Sequence, residues 1–278
     1  VRLAPLSMQP KQKNEIEGEV IMDSLVLVEY AAGIATIRVN RPRQYNALSR
    51  DTVDQLDAIL ESIRQDSSVR ALILTGEKNF AAGADIGDMT HLTPLEAQAF
   101  LFADTFRKLE LLQIPTIAAI CGYALGGGLE MALACDIRIA AEDAQMGLPE
   151  ITLGIMPGAG GTVRLPKLIG IGKAKELIFS GRKIDAAEAY QCGLVQQVVA
   201  AAELMTTACE LAKKMARQST TAMQSAKTML NFSADMPPEA AFKMEAGYWS
   251  GLFGTADQIE GMQAFIEKRK PNFNNTQK

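Results

Sequence analysis

Two glutamates occupy positions where a folded chain rarely spends a charge. Glu130 closes Gly126-Gly127-Gly128-Leu129-Glu130 and opens an otherwise apolar run to Cys135. Glu150 closes Met146-Gly147-Leu148-Pro149-Glu150. Glutamate is almost never fully buried without a partner or a purpose. In apolar surroundings a carboxyl group holds its proton to higher pH and can trade it near neutrality. Two such groups, each beside a glycine-containing bend, suggest a paired acid/base site. Plainer readings exist for each: Glu130 as a first-turn residue favoured by the helix dipole, Glu150 as a loop residue facing water. Taken together they weaken, because Glu150 runs into the mostly apolar Ile151-Thr152-Leu153-Gly154-Ile155-Met156 and then a second glycine cluster, Pro157 to Gly161.

The triple glycine follows a strand-like run, Ile114 to Cys121, and precedes a short apolar helix, Leu129 to Ala134. Glycine lets backbone approach a ligand closely. The first amides of a helix lack internal partners and point beyond its N-terminus, where an oxygen gaining negative charge would be stabilised. A tight turn with no ligand explains the same glycines. No Lys-Ser or Lys-Thr follows, so a Walker phosphate loop is excluded, and GxGxxG is not spelled in the strand-to-helix context that a dinucleotide fingerprint requires. Phe80-Ala81-Ala82-Gly83-Ala84-Asp85-Ile86 comes soon after the strand Val69 to Thr75. Its small residues would let a second amide reach the same oxygen and complete an oxyanion hole. Asp85 reads equally as a helix cap.

The elements around these residues alternate. Leu25 to Tyr30 and Ile34 to Val39 read as a hairpin across Ala31-Ala32-Gly33. Ser49 starts a helix through Ile63, and Thr93-Pro94 with Glu96 starts another, about Pro94 to Leu112. Asp136 to Ala141 is a further strand. Beyond the second glycine cluster the chain reads as helical: Lys173 to Ser180, Asp185 to Cys192, Ala202 to Ala216, Thr220 to Phe232, Glu239 to Phe253 and Thr255 to Lys268. This is an α/β core followed by a helical C-terminal part. Residues 1–21 read as a disordered N-terminal extension without a secretory h-region, Met22 as a natural first residue, 22–215 as the core and 216–278 as the helical region.

Composition excludes several classes. The net charge of −4 provides no basic field for nucleic acid. No run approaches the ~20 apolar residues of a membrane span. The four cysteines form no CxxC and read as free thiols of a reducing, cytoplasmic compartment. The single histidine, His91, reads as a solvated loop residue, so metal ligands are scarce.

The motifs together resemble the crotonase (enoyl-CoA hydratase/isomerase) superfamily. The matching text is Asn40-Arg41-Pro42 with Asn46-Ala47-Leu48, Phe80 to Ile86, Gly122-Tyr123-Ala124-Leu125-Gly126-Gly127-Gly128-Leu129-Glu130, Cys135-Asp136, Gly147-Leu148-Pro149-Glu150, Gly154 to Thr162, and Ala264 to Lys270. The resemblance covers about Leu25 to Phe273. It implies a crotonase-like spiral of ββα units with a helical C-terminal trimerisation region, assembled as a homotrimer or hexamer. It implies an oxyanion hole from the amides of Ala84 and Gly127 that holds an acyl-CoA thioester carbonyl. The hydratase glutamates map onto Glu130 and Glu150, and Gly158 onto a glycine that shapes the water and acid site. CoA would be cradled by Arg43, Ala82, Ala84, Asp85 and Ile86, with Lys268 adding a contact. CoA arrives as part of the substrate, so no separate cofactor is implied.

The activity expected from the resemblance is hydration of a trans-2-enoyl-CoA in fatty-acid or related acyl-CoA degradation. Glu130 would activate water and Glu150 would deliver the α-proton. The alternatives are an enoyl-CoA isomerase, or a hydratase for a branched or aromatic-pathway acyl group. An RNA-binding relative would need a basic helix where Asp51 to Asp66 carries Asp51, Asp54, Asp57, Glu61 and Asp66 against Arg64, which repels a phosphate backbone. The intact glutamate pair argues against a non-catalytic scaffold.

Overall fold

Period-two burial in the central strands sets the layers. A computed structural model describes residues 24–100 and 102–273; the expected extension at 1–21 lies outside them. The hairpin forms as β1 (Val26–Ala31) and β2 (Ile34–Val39), joined through Ala32 and Gly33, both at positive φ as a two-residue hairpin turn requires. Parallel strands β3 (Ala71–Gly76) and β4 (Thr116–Ile120) extend it, each after a helical crossover. Next in the chain come β5 (Tyr123–Leu125), β6 (Ile137–Ala141), β7 (Gln145–Gly147), β8 (Ile184–Asp185) and β9 (Gln197–Val199). One six-stranded sheet has the order β1-β2-β3-β4-β6-β9, and a small second sheet has β5-β7-β8.

The large sheet is covered on both faces, and β3 shows how. Leu72 and Leu74 point into the main core with Leu56, Leu60 and Ile63 of α1 (Arg50–Gln65). Their neighbours Ala71 and Ile73 point the other way, into a second core. All four are fully buried, as a strand covered on both faces demands.

Between β3 and β4 run α2 (Ile86–Met89), α3 (Pro94–Phe100) and α4 (Ala103–Leu111). The single helix expected over Pro94 to Leu112 is therefore two. Phe102 stands at the break with φ −86° and ψ 3°, is buried, and packs its ring 5.1 Å from Phe100 and 6.0 Å from Phe106. Turning that ring inward ends one helix and starts the next. The expected start at Thr93 holds as a capping box: the Thr93 amide donates to Glu96 Oε2 at 2.8 Å and the Glu96 amide returns to Thr93 Oγ1 at 3.4 Å.

The buried helix after the triple glycine is α5 (Gly127–Leu133), and every residue in it is buried. The chain then gives α6 (Gly161–Ile169), α7 (Ile171–Ser180), α8 (Ala186–Gln191), α9 (Leu204–Ala216), α10 (Thr220–Ser233), α11 (Pro238–Gly251) and α12 (Ala256–Ile266). Leu204, Ala208 and Ala212 of α9 cover the second core. Strands β5, β7, β8 and β9 and helix α6 are not among the sequence expectations. At two or three residues these strands are too short to show alternation.

Packing around α5 has no slack. A Cβ on Gly128 would collide with the Ala81 carbonyl oxygen, whereas a Cβ on Gly172 in α7 meets nothing within 4 Å. Gly128→Ala is expected to lower stability by about 1–3 kcal/mol through overpacking. Gly172→Ala should leave the urea midpoint unchanged or raise it. Paired urea titrations check the contrast.

Candidate active site

The site is assembled from backbone. Leu48 N–H donates to Gly83 O at 2.7 Å and Asp85 N–H donates to Leu48 O at 2.9 Å, an isolated parallel bridge that turns the Ala84 amide away from Leu48. On its other side the same segment is stitched to β5: Ala81 N–H donates to Tyr123 O at 2.9 Å and Leu125 N–H to Ala81 O at 3.0 Å. Gly126, at φ 49° and ψ −127°, then bends the chain from β5 into α5. Few residues other than glycine adopt that bend. As a result Ala84 N stands 3.6 Å from where a Cβ on Gly127 would be. Among the described residues, neither the Ala84 N–H nor the Gly127 N–H has a hydrogen-bond acceptor. These are the two amides expected to form an oxyanion hole, and the fold brings them together.

The two glutamates lie beside them with opposite surroundings. Glu130, on the first turns of α5, is 3% exposed. Its Oε1 accepts two backbone N–H groups, from Ala159 at 2.8 Å and Gly161 at 2.7 Å. Glu150, in a 3-10 turn at Pro149–Leu153, is 9% exposed, and neither of its carboxyl oxygens has a hydrogen-bond partner. Gly126 touches both residues. Its carbonyl accepts the Glu130 N–H at 3.0 Å, and a Cβ on it would stand 3.2 Å from Glu150 Oε1.

Burial pushes the Glu150 carboxyl up to about 7; its own backbone amide pulls it back in part, and the charge of Glu130 adds a smaller push upward. Burial also raises Glu130, but the Gly161 and Ala159 amides and the Arg164 guanidinium pull it back. Donors to a carboxylate favour its charged form. Of the two, Glu130 has the donors that favour a charged carboxylate, and Glu150 is the one disposed to keep its proton.

Comparison with known proteins identifies the family. The profile of the enoyl-CoA hydratase/isomerase family matches residues 29–277. The chain belongs to that family. A short-chain-enoyl-CoA hydratase of Clostridium acetobutylicum is 45% identical over 249 residues, 88% of this chain and 95% of the relative. A crotonyl-CoA hydratase of Syntrophomonas wolfei is 41% identical, over 89% of this chain and 97% of its own. The crystal structure of an enoyl-CoA hydratase from Bacillus anthracis superposes with a TM-score of 0.85 at 42% identity, covering 90% of this chain and 99% of that one.

The other residues expected to serve this family member fare differently. Gly158 is exposed, and the amides that grip Glu130 belong to its neighbours Ala159 and Gly161. Ala82 is half-buried, Ile86 and Arg43 are exposed, and Lys268 follows α12 on the surface with φ 54°. The carboxylate of Asp85 is occupied within the fold: it caps α2 through Gly87 N–H at 3.2 Å and pairs with Arg41 at 3.0 Å. Arg41, absent from the expected site, also donates to Ala47 O at 2.6 Å and so ties the Leu48 bridge to Asp85. Ile151, Leu153, Ile155 and Met156 are all exposed, so the apolar run after Glu150 is not what buries it. Among the described residues no three His, Cys, Asp or Glu gather as metal ligands, no helix is long and apolar enough to cross a membrane, and all four cysteines are free thiols.

The raised Glu150 carboxyl has a consequence for stability. The folded state holds this proton more tightly than the unfolded chain, so stability falls as pH rises from the ordinary carboxylate range through about 7 and then levels. Glu150→Gln removes that loss. Its Tm should exceed the wild type's at pH 8, by about 2–4 °C for each kcal/mol relieved, with the gap closing near pH 4.5. Calorimetry at the two pH values checks it.

Proposed function

We propose that this site adds water across the double bond of a short trans-2-enoyl-CoA, giving a 3-hydroxyacyl-CoA. The observation that carries this reading is the asymmetry of the pair: Glu130 held charged by two amides, Glu150 left without a donor. The thioester carbonyl sits against the Ala84 and Gly127 amides, each donor contributing roughly 3–4 kcal/mol to the transition state. Both glutamates hold the water. Glu130 takes a proton from it as the oxygen bonds to the β-carbon. Charge moves to the thioester oxygen as an enolate, and Glu150 delivers its proton to the α-carbon. Moving a double bond needs a single proton shuttle, so the two carboxyl groups favour hydration over isomerisation. CoA enters and leaves with the acyl group, and no further cofactor takes part.

A short acyl chain is supported by the relatives named for short-chain and crotonyl substrates, and by Phe102, whose ring lies 3.8 Å from the Cβ position of Gly127. A homo-oligomer, trimeric or hexameric, is supported by the C-terminal helices. No residue of α11 is buried, and Phe242, Trp249, Phe265 and Ile266 expose large apolar side chains. Residues 216–278 then act as the assembly region on a 22–215 core. Fatty-acid degradation in a cytoplasmic setting accords with the free thiols.

Glu130→Gln and Glu150→Gln should each lower kcat for crotonyl-CoA by at least ~10², with KM changed far less. Near-normal turnover in either variant sinks the two-carboxylate scheme. Because Glu150 acts protonated, wild-type kcat/KM should fall as pH rises beyond about 7, the value to which burial pushes its carboxyl. A panel of enoyl-CoAs from C4 upward should show kcat/KM declining with chain length.

A further inference from the structure

The two amides that charge Glu130 lie in a segment that is itself held by one side chain. Arg164, on α6, is 12% exposed. Its Nη1 donates to Ala159 O at 2.9 Å, and its Nη2 to Glu110 Oε2 on α4 at 2.8 Å. Gly160 lies between the two gripping amides at φ 108°, and a Cβ there would collide with the Arg164 guanidinium. The guanidinium is thus packed against the backbone of the segment whose amides point at Glu130. Glu110 is anchored in turn: it accepts from Arg107 at 2.6 Å, and its carbonyl accepts from Asn231 of α10 at 3.3 Å. Behind Arg164 and Glu110 a cavity of about 1030 Å³ runs between α4, α6 and α10, so an Arg164 released by Glu110 has room to swing away.

We propose that Arg164 is a positioning residue for the hydration step, and Glu110 its anchor. By fixing Ala159 O, Arg164 holds the Ala159 and Gly161 amides on Glu130 Oε1 and keeps Glu130 the charged member of the pair. The inference rests on the hydratase reading above. The charged groups facing Glu130 are Glu150 from the 3-10 turn and Arg164 from α6; Arg164 faces Glu130 and Glu110 of α4, and Glu110 also faces Arg107. Loss of the amide grip and of the nearby positive charge both raise the proton affinity of Glu130.

The test compares Arg164→Met, Arg164→Lys and Glu110→Leu with wild type in crotonyl-CoA hydration, with circular dichroism and sedimentation as folding controls. Arg164→Met should lower kcat by roughly 10- to 100-fold, the scale of a misplaced catalytic group, with little change in KM. The acidic limb of kcat/KM should move to higher pH. Arg164→Lys should recover part of both effects. Glu110→Leu separates positioning from charge. It deletes a negative group, so a purely through-space effect moves the limb to lower pH, whereas a released Arg164 moves it to higher pH with a lower kcat. Folded Arg164→Met and Glu110→Leu with unchanged kcat and limb overturn the proposal. So does a loss that only tracks the fraction folded. If Arg164→Met does not fold, Glu110→Leu decides. Failure of wild type to hydrate crotonyl-CoA sinks the hydratase reading instead. The infrared carboxyl band missing in Glu130→Gln still decides this proposal, because its titration must move up in Glu110→Leu.

Discussion

Two buried carboxyl groups stand close enough for the charge of one to act on the other, and the site depends on which of them is favoured in its charged form. Burial alone raises both Glu130 and Glu150 and does not choose. The choice is made by backbone donors. Two N–H groups converge on one oxygen of Glu130 and none reaches Glu150. A hydrogen bond to a charged group is worth about 1.5–3 kcal/mol. Two such bonds therefore outweigh the modest differences in burial between the pair. On the proposed scheme the division into base and acid rests on these backbone donors.

That geometry requires positions from distant parts of the chain to be held together by main chain. Leu48, Ala84, Leu125 and Gly126 meet through a parallel bridge, a short strand and one bend that favours glycine. Each bond has one donor and one acceptor in fixed register, so the two free amides cannot drift apart without breaking several bonds at once. Placing α5 directly after the bend makes Gly127 both the first residue of the helix and one of the two amides that the proposal assigns to the oxyanion hole. Side chains would add rotamer freedom to this arrangement, and small residues leave it out.

Much of this was legible in the sequence because glutamate among apolar residues and glycine is chemically conspicuous. Glu130 and Glu150 could be named from their surroundings, Ala84 and Gly127 only through the family motifs they spell. The structure brings them together. What stayed hidden depends on backbone rotation. The second glycine cluster was visible, yet which of its amides face Glu130 depends on the positive φ of Gly160, which has no signature in composition. Arg41 stands within a quoted motif, but its pairing with Asp85 across 44 positions is a tertiary fact. The break between α3 and α4 was missed for a related reason: Phe102 suits a helix locally, and only the core it enters makes it a turn. Strands of two or three residues leave no period to detect.

The same arrangement sets function against stability. A buried polar group without a partner costs about 1–3 kcal/mol, and Glu150 leaves two such oxygens. A fully buried leucine or isoleucine returns about 1.5–3 kcal/mol. On that scale one or two core side chains offset the unsatisfied acid, and β3 alone buries Leu72, Ile73 and Leu74. A large sheet covered on both faces can therefore offset a destabilising group elsewhere in the fold. Supplying Glu150 with a donor would relieve the fold, but it would favour the charged form, against the proton donation proposed for it. On the proposed scheme the unpartnered oxygens of Glu150 are what keeps it an acid, and the aliphatic core of the large sheet offsets their cost.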